Sequence, residues 1–396
     1  MLGFSQHRCY AGSMATTIGD RVRDSIPAHV SQRRLAPEVG MTHDALSRAI
    51  NGQRHFSAVE LAEIAGRLGL DTHWLITGEH DPFKVRLAAR HLWTQSSAGQ
   101  ELNDDKVINR VVEAYRVAYD DVGHVPSSAA PLPSDPVELR NRLADADSGS
   151  ADSIGNVRFL ADRIQDVLSV DIVRDPDLQT DYSFRIGDHA VVLLRSTAFW
   201  FRANWSIAHE LGHLALGHHV SGRTAVADEE PANAFAAEFL LPAEEIRAID
   251  WQRMSRPDFA LWLWNAGVST AAMRTRFERL DIIFSDDVRD AIQEPTPKLM
   301  RAYVGLIRHQ AHSHGDPIWE RENATTGRRF PEHVVTALTE RVESGKADPH
   351  VLAWVREVPV DDLDWPEPDI DAPSDEYAGL SSRAKRTDWF GLLSAR

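Results

Sequence analysis

Residues 206–219 read SIAHELGHLALGHH, and the rest of the chain is interpreted outward from this stretch. Ile207, Leu211 and Leu214 recur at helical intervals, which predicts a long helix over about Asn204–His218. His209 and His213 lie four residues apart on one face, a spacing that lets two imidazoles reach one ion. Glu210 sits one residue along, beside the open coordination position, where a carboxylate can take a proton. Gly212 offers a surface that a neighbouring helix can approach closely. The pattern is that of a zinc hydrolase, and the competing reading is a helix with surface histidines and a solvated glutamate.

Two donors leave such a site incomplete, and three residues compete for the third place. Glu229 opens EEPANAFAAEFLLP (residues 229–242), which predicts a second helix from Glu229 to about Leu240, stopped at Pro242. Ala232, Phe235, Ala236, Phe239 and Leu240 form its apolar face. Asn233 follows Glu229 by one turn and can orient a ligating histidine from behind. Pro231 suits the first turn, where a missing N–H costs nothing. Glu230 is the second candidate. His219, ten residues beyond His209, is the third; it stands where the extended histidine pattern of metzincins has a ligand, but that pattern wants glycine at Leu216, and here glycine comes one place late at Gly217. Glu229 is the preferred choice.

The chain has 396 residues, 43% of them hydrophobic, enough for two to four domains with real cores. Cys9 is the only cysteine, so no internal disulfide can form, and Met1–Gly12 lacks the basic start and apolar run of an export signal; the expectation is a reducing cytoplasm. No run of about 18 apolar residues occurs, which excludes a membrane-spanning helix. A formal charge of -16 argues against the whole chain acting as a polycation on nucleic acid or anionic lipid.

The expected fold is mostly α and multidomain, with an N-terminal helix-turn-helix bundle, an α+β core carrying a small sheet, and a C-terminal helical region. Boundaries fall at residues 15–80 for the bundle and 81–120 for a helical connector that could bridge domains or support a homodimer. Residues 121–153, rich in Pro, Ser, Ala and Asp, read as a flexible linker with room for one helical turn. The core spans 154–250: Ile154–Asp175 reads as a helix leading into a strand, and Tyr182–Thr197 as a strand pair turned at Gly187 and Asp188. A helical extension over 251–360 contains a second helix-turn-helix-like segment, Asn265–Leu280, whose Arg274, Arg276 and Arg279 are assigned structural support. Residues 361–396 form an acidic tail, with eight acidic and no basic residues between Asp361 and Glu376.

Within the bundle, SQRRLAPEVGMTHDALSRAING (residues 31–52) places one helix at Gln32–Val39, a turn at Gly40 and Met41, and a second helix from Thr42, its N-cap, to Ile50. A second helix so placed can enter a major groove. Its candidate DNA contacts are Thr42, His43, Asp44, Ser47 and Arg48, with Asn51, Gln53 and Arg54 beyond, near phosphates. Residues 15–80 hold seven arginines and eight acidic residues, a poor balance for nonspecific DNA affinity, so a protein-binding module is the competing reading.

Residues 18–78, including LITG at 75–78, resemble the Cro/C1-type helix-turn-helix domain. ANWSIAHELGHLALGHH and EEPANAFAAEFLLP together resemble the ImmA/IrrE metallopeptidases over roughly residues 155–280; Trp205 and Ser206 replace the usual aromatic and threonine, and Pro231 stands where a second acid is common. The resemblance implies a gluzincin-like core, one zinc ion per chain on His209, His213 and Glu229, and Glu210 as general base. It implies a zinc endopeptidase that cleaves a repressor-like or antitoxin-like regulator to control gene expression, as in a stress response. His189, His218 and Tyr182 are candidates for oxyanion stabilisation. The alternatives are a transcriptional regulator with a sensing or structural zinc site, and a helix-turn-helix protein-interaction module.

Overall fold

The computed structural model describes residues 17–27, 29–79, 81–87, 98–126, 131–145, 160–219, 226–311 and 314–363. The fold is mostly helical and multidomain, with one small mixed sheet flanked by helices.

Five short helices form the N-terminal bundle: α1 (Ile18–Ser25), α2 (Gln32–Glu38), α3 (His43–Ile50), α4 (Ala58–Leu68) and α5 (Thr72–Thr77). Thr17, Ser31, Thr42, Ser57 and Asp71 cap them, each side-chain oxygen accepting from a first-turn amide. The helices close over Val22, Leu35, Leu46, Ile64 and Leu75, a core separate from the rest of the molecule.

The sheet runs β1 (Val85–Leu87), β3 (Tyr182–Ile186), β4 (His189–Arg195), β2 (Val170–Asp175) in spatial order. β3 is antiparallel to β1 and β4, and β2 is parallel to β4. Alternation along each strand divides the side chains between two faces. On one face Val170, Ile172, Val192 and Leu194 pack with α8 (Leu160–Leu168) and α9 (Trp200–Ala215). On the other, Val173, Phe184, Val191 and Leu193 pack with α6 (Ala98–Tyr119), α18 (Glu332–Glu343) and α19 (Pro349–Arg356). The remaining helices, α7 (Pro136–Asp145), α10 (Val226–Leu240), α11 (Ala243–Ala248), α12 (Arg256–Ala266), α13 (Thr270–Leu280), α14 (Asp286–Ala291), α15 (Thr296–Ala302), α16 (Val304–Gln310) and α17 (Pro317–Asn323), mostly extend the α9 side. No helix among the described residues is long and apolar enough to cross a membrane.

Three expectations need correction. Within the stretch read as linker, α7 buries Leu139 and Leu143 in the main core, and Arg140 donates to the Phe239 carbonyl; its apolar residues are few but spaced four apart, which suffices for a helix with one buried face. Val85 and Leu87, read as helical, lie in β1 against β3, because three extended residues complete an existing edge. Pro231 is not in a first turn: α10 begins at Val226, and its acidic start favours that earlier N-terminus. The proline therefore interrupts the helix interior opposite Ala227. Most of the acidic tail, residues 364–396, lies outside the described residues, as do 15–16, 127–130 and 146–159.

Candidate metal centre

The site is made where α9 and α10 cross. Gly212 permits the crossing: a Cβ there would lie 3.1 Å from the Ala232 carbonyl oxygen and 3.2 Å from Ala232 Cα, tighter than side chains normally pack. With the helices this close, the Glu229 carboxylate reaches the two histidines on the neighbouring helix. His209 Nε2 is 3.1 Å from His213 Nε2 and 3.4 Å from Glu229 Oε2, and His213 Nε2 is 3.7 Å from Glu229 Oε1.

These separations test the donor set. Nitrogen and oxygen donors held tetrahedrally at zinc distances lie roughly 3.3–3.4 Å apart, close to the mean of the three observed edges. Two imidazole nitrogens and one carboxylate, with no fourth protein donor in the cluster among the described residues, match an open zinc site. The far nitrogens are held as well. His209 Nδ1 lies 3.1 Å from Asn233 Oδ1, and His213 Nδ1 lies 2.8 Å from His218 Nδ1. Gly217 (φ 74°) explains His218: its left-handed backbone ends the helix, and the His218 amide returns to the His213 carbonyl, bringing the ring back over the last turn.

Glu210 is fully buried, and Ser183 on β3 donates to its Oε2 at 2.7 Å. Beside it, Asp181 accepts from Ser206 Oγ at 2.6 Å and from the Arg195 amide at 2.9 Å. Burial pushes the Asp181 carboxyl above the usual range, with a further push from the Glu210 charge; the hydrogen bonds and Arg195 oppose but do not cancel this.

Residues 165–278 match the family of the IrrE N-terminal-like domain, a peptidase family. The match covers under a third of the chain and contains the whole cluster. No curated protein and no solved structure matches.

The IrrE-like domain brings His209, His213, Glu229 and Asn233 together and keeps the rival ligands apart. Glu230 is exposed on α10. His219 accepts from Arg185 Nε at 2.8 Å; burial, then the Arg185 and Arg86 charges, pulls its pKa down to about 4, so it is a neutral acceptor facing a guanidinium. Of the oxyanion candidates, Tyr182 donates to Asp104 at 2.9 Å, and His189 points to the opposite face of the sheet. Only His218 adjoins the cluster, behind His213. Sequence reading missed Ser183, although its alternation with Phe184 in β3 put it on the face towards α9.

His189 belongs to a second group of potential donors with Asp171 and His333. Its Nε2 is 2.7 Å from Asp171 Oδ2, and His333 Nε2 is 2.9 Å from Asp171 Oδ1. Tyr115 donates to Asp171 at 2.7 Å, and Tyr119 meets His333 Nδ1 at 2.5 Å. These are hydrogen-bond lengths, shorter than the edges between donors sharing an ion, and the network ties α6 and α18 to the sheet. Burial alone would raise the Asp171 carboxyl, but the hydrogen bonds and charges of His189 and His333 outweigh it and hold the pKa at about 2.

In the bundle, His43, Asp44 and Arg48 are exposed on α3, Ser47 is half-buried, and Thr42 caps the helix. Arg48 lies 3.9 Å from Asp44. Arg54, expected near a phosphate, is turned inward: its Nε donates to the Ala45 carbonyl at 3.0 Å and its guanidinium pairs with Glu60. Asn51 Oδ1 lies 3.4 Å from Arg23.

Proposed function

We propose that this chain is a zinc-dependent endopeptidase of the ImmA/IrrE type, carried to its target by an N-terminal DNA-binding bundle and cleaving a repressor-like regulatory protein. The observation that carries this reading is the convergence of His209, His213 and Glu229, inside a peptidase-family domain, with Glu210 adjacent to the first ligand in sequence. A bound zinc ion would supply Lewis-acid polarisation of a peptide carbonyl and lower the pKa of water. His209, His213 and Glu229 would hold the ion, with Asn233 and His218 fixing the imidazole orientations. Glu210 takes the proton of the attacking water and passes it to the leaving amine. Ser183 holds the carboxylate's other oxygen. The exposed face of α3, with His43, Asp44 and Arg48, is the part of the bundle offered to DNA.

The test compares cells producing the wild type with cells producing Glu210→Gln, mapping all new protein N-termini and measuring zinc in the purified proteins. A wild-type-specific cut in a regulatory protein, with equal zinc in both, supports the proposal. Identical N-termini with equal zinc would overturn the peptidase reading in favour of a sensing site.

A further inference from the structure

A cavity of about 220 Å³ lies against the first half of α9, where Trp200, Asn204 and Ile207 form one wall and Arg321 and Thr325, from α17 and the turn after it, form another. Arg174 of β2 also lines it. Several other buried arginines carry a carboxylate partner. Arg328 is paired with Asp175 at 2.7 Å, Arg276 with Glu238, and Arg341 with Asp121 at 2.7 Å. Arg174 is only 3% exposed, yet among the described residues it forms no ion pair. One terminal nitrogen donates to the Ala324 carbonyl at 2.9 Å, and its buried Nε has no acceptor. Two acids also line the cavity, Asp162, which Arg329 engages at 2.6 Å, and Glu320; the charges of Asp162 and Asp181 reach Arg174 without either acid pairing with it.

A guanidinium taken out of water without a counter-charge is costly, and proteins meet that cost with an anion. Burial, and then the Arg329 charge, lowers the Arg174 pKa only to about 10, so the group is cationic at neutral pH. The cavity exceeds the roughly 30 Å³ of one water, but falls short of the roughly 300 Å³ at which drug-sized ligand pockets begin. Its size excludes a nucleotide and suits a group of a few heavy atoms.

We propose that this cavity binds a small oxyanion, phosphate or a short carboxylic acid, through the Arg174 guanidinium. Arg321, on the opposite wall, adds a second positive charge; it stacks 3.7 Å above the Trp264 ring centre and donates to the Trp264 carbonyl. The two walls come from different parts of the chain: α9 lies inside the IrrE-like domain, whereas Thr325 and Arg329 lie beyond it. A bound anion would therefore link the C-terminal helices to the helix that carries His209 two residues past Ile207. The inference does not depend on zinc or on proteolysis.

The full-length protein, in an anion-poor buffer, is titrated by calorimetry with inorganic phosphate and separately with succinate, and its thermal midpoint is followed with each. One site is expected, with binding weakened at least about tenfold in Arg174→Gln. Preference for phosphate or succinate identifies the source. Phosphate salts stabilise proteins generally by exclusion, so the decisive thermal readout is the difference between wild type and variant. Crystals of the wild type soaked in tungstate give a second readout that needs no variant: density against Arg174 is expected. Absence of binding by both anions, an equal response in a folded Arg174→Gln, or tungstate bound only elsewhere would each overturn the proposal.

Discussion

Ser183 Oγ donates a 2.7 Å hydrogen bond to Glu210 Oε2, and both side chains are wholly removed from solvent. A sheet residue thereby fixes the carboxylate of a residue on the helix packed above it. Ser183→Ala should leave the zinc content unchanged and lower kcat about tenfold, the effect of freeing a group whose orientation matters more than its presence. Zinc analysis beside turnover of the identified substrate checks this; loss of zinc would show that Ser183 supports the ligands instead.

Glu229→Ala should release zinc far more readily than His219→Ala, because one removes a donor and the other an acceptor already bonded to Arg185. Asn233→Ala should fall between them, at roughly 10- to 100-fold weaker binding. Chelator competition ranks the three variants, and equal zinc loss from Glu229→Ala and His219→Ala would remove Glu229 from the ligand set.

Glu210→Gln keeps the shape of the side chain and its bond from Ser183 while abolishing its basicity. Zinc binding should persist, and cleavage should drop by at least about 100-fold. Undiminished turnover would assign the base to another group.

Asp171 supplies a pH prediction. Its folded-state pKa of about 2 lies below the ordinary 3.8, so its contribution to stability is fully present above pH 4 and is lost as pH falls towards 2. The difference corresponds to about 2 kcal/mol. Urea unfolding should show Asp171→Asn less stable than wild type at pH 6, with the gap shrinking at pH 3. A pH-independent gap would mean that the carboxylate's charge is not what holds α6 and α18 to the sheet.

Arg48→Ala should weaken binding to the protein's promoter DNA, and wild-type affinity should fall as salt rises. Arg54→Ala should instead lower the thermal stability of the bundle, since that guanidinium joins Ala45 to Glu60. Absence of wild-type binding to any genomic fragment would favour a protein-recruiting bundle.

Much of this arrangement is legible in the sequence because it rests on short-range rules. The His209 and His213 spacing is one helical turn, Asn233 follows Glu229 by another, and the turn at Gly187 separates two runs of alternating residues. What sequence reading lost depends on contacts between distant segments. Ser183 carries no local sign that a glutamate 27 residues later will lie above it. Asp171, His189 and His333 come from two strands and a helix separated by up to 162 residues, and no periodicity links them. Pro231 misled for a different reason: proline is so often found at helix starts that the expected helix begins at Glu229, three residues after its actual start at Val226.

The strand β1 begins only eight residues after α5 ends, and its loop is fastened to the sheet by the Gly187 amide bonding the Lys84 carbonyl. β1 thus belongs to the sheet and not to the bundle, whose own core ends at Leu75. A truncation that discards everything before α6 would also strip the outer strand from β3, baring the backbone of residues 184–186 along a newly exposed margin. Such a fragment would carry an adhesive edge that the intact chain covers with its own residues 85–87, and its self-association would be an artefact of the cut.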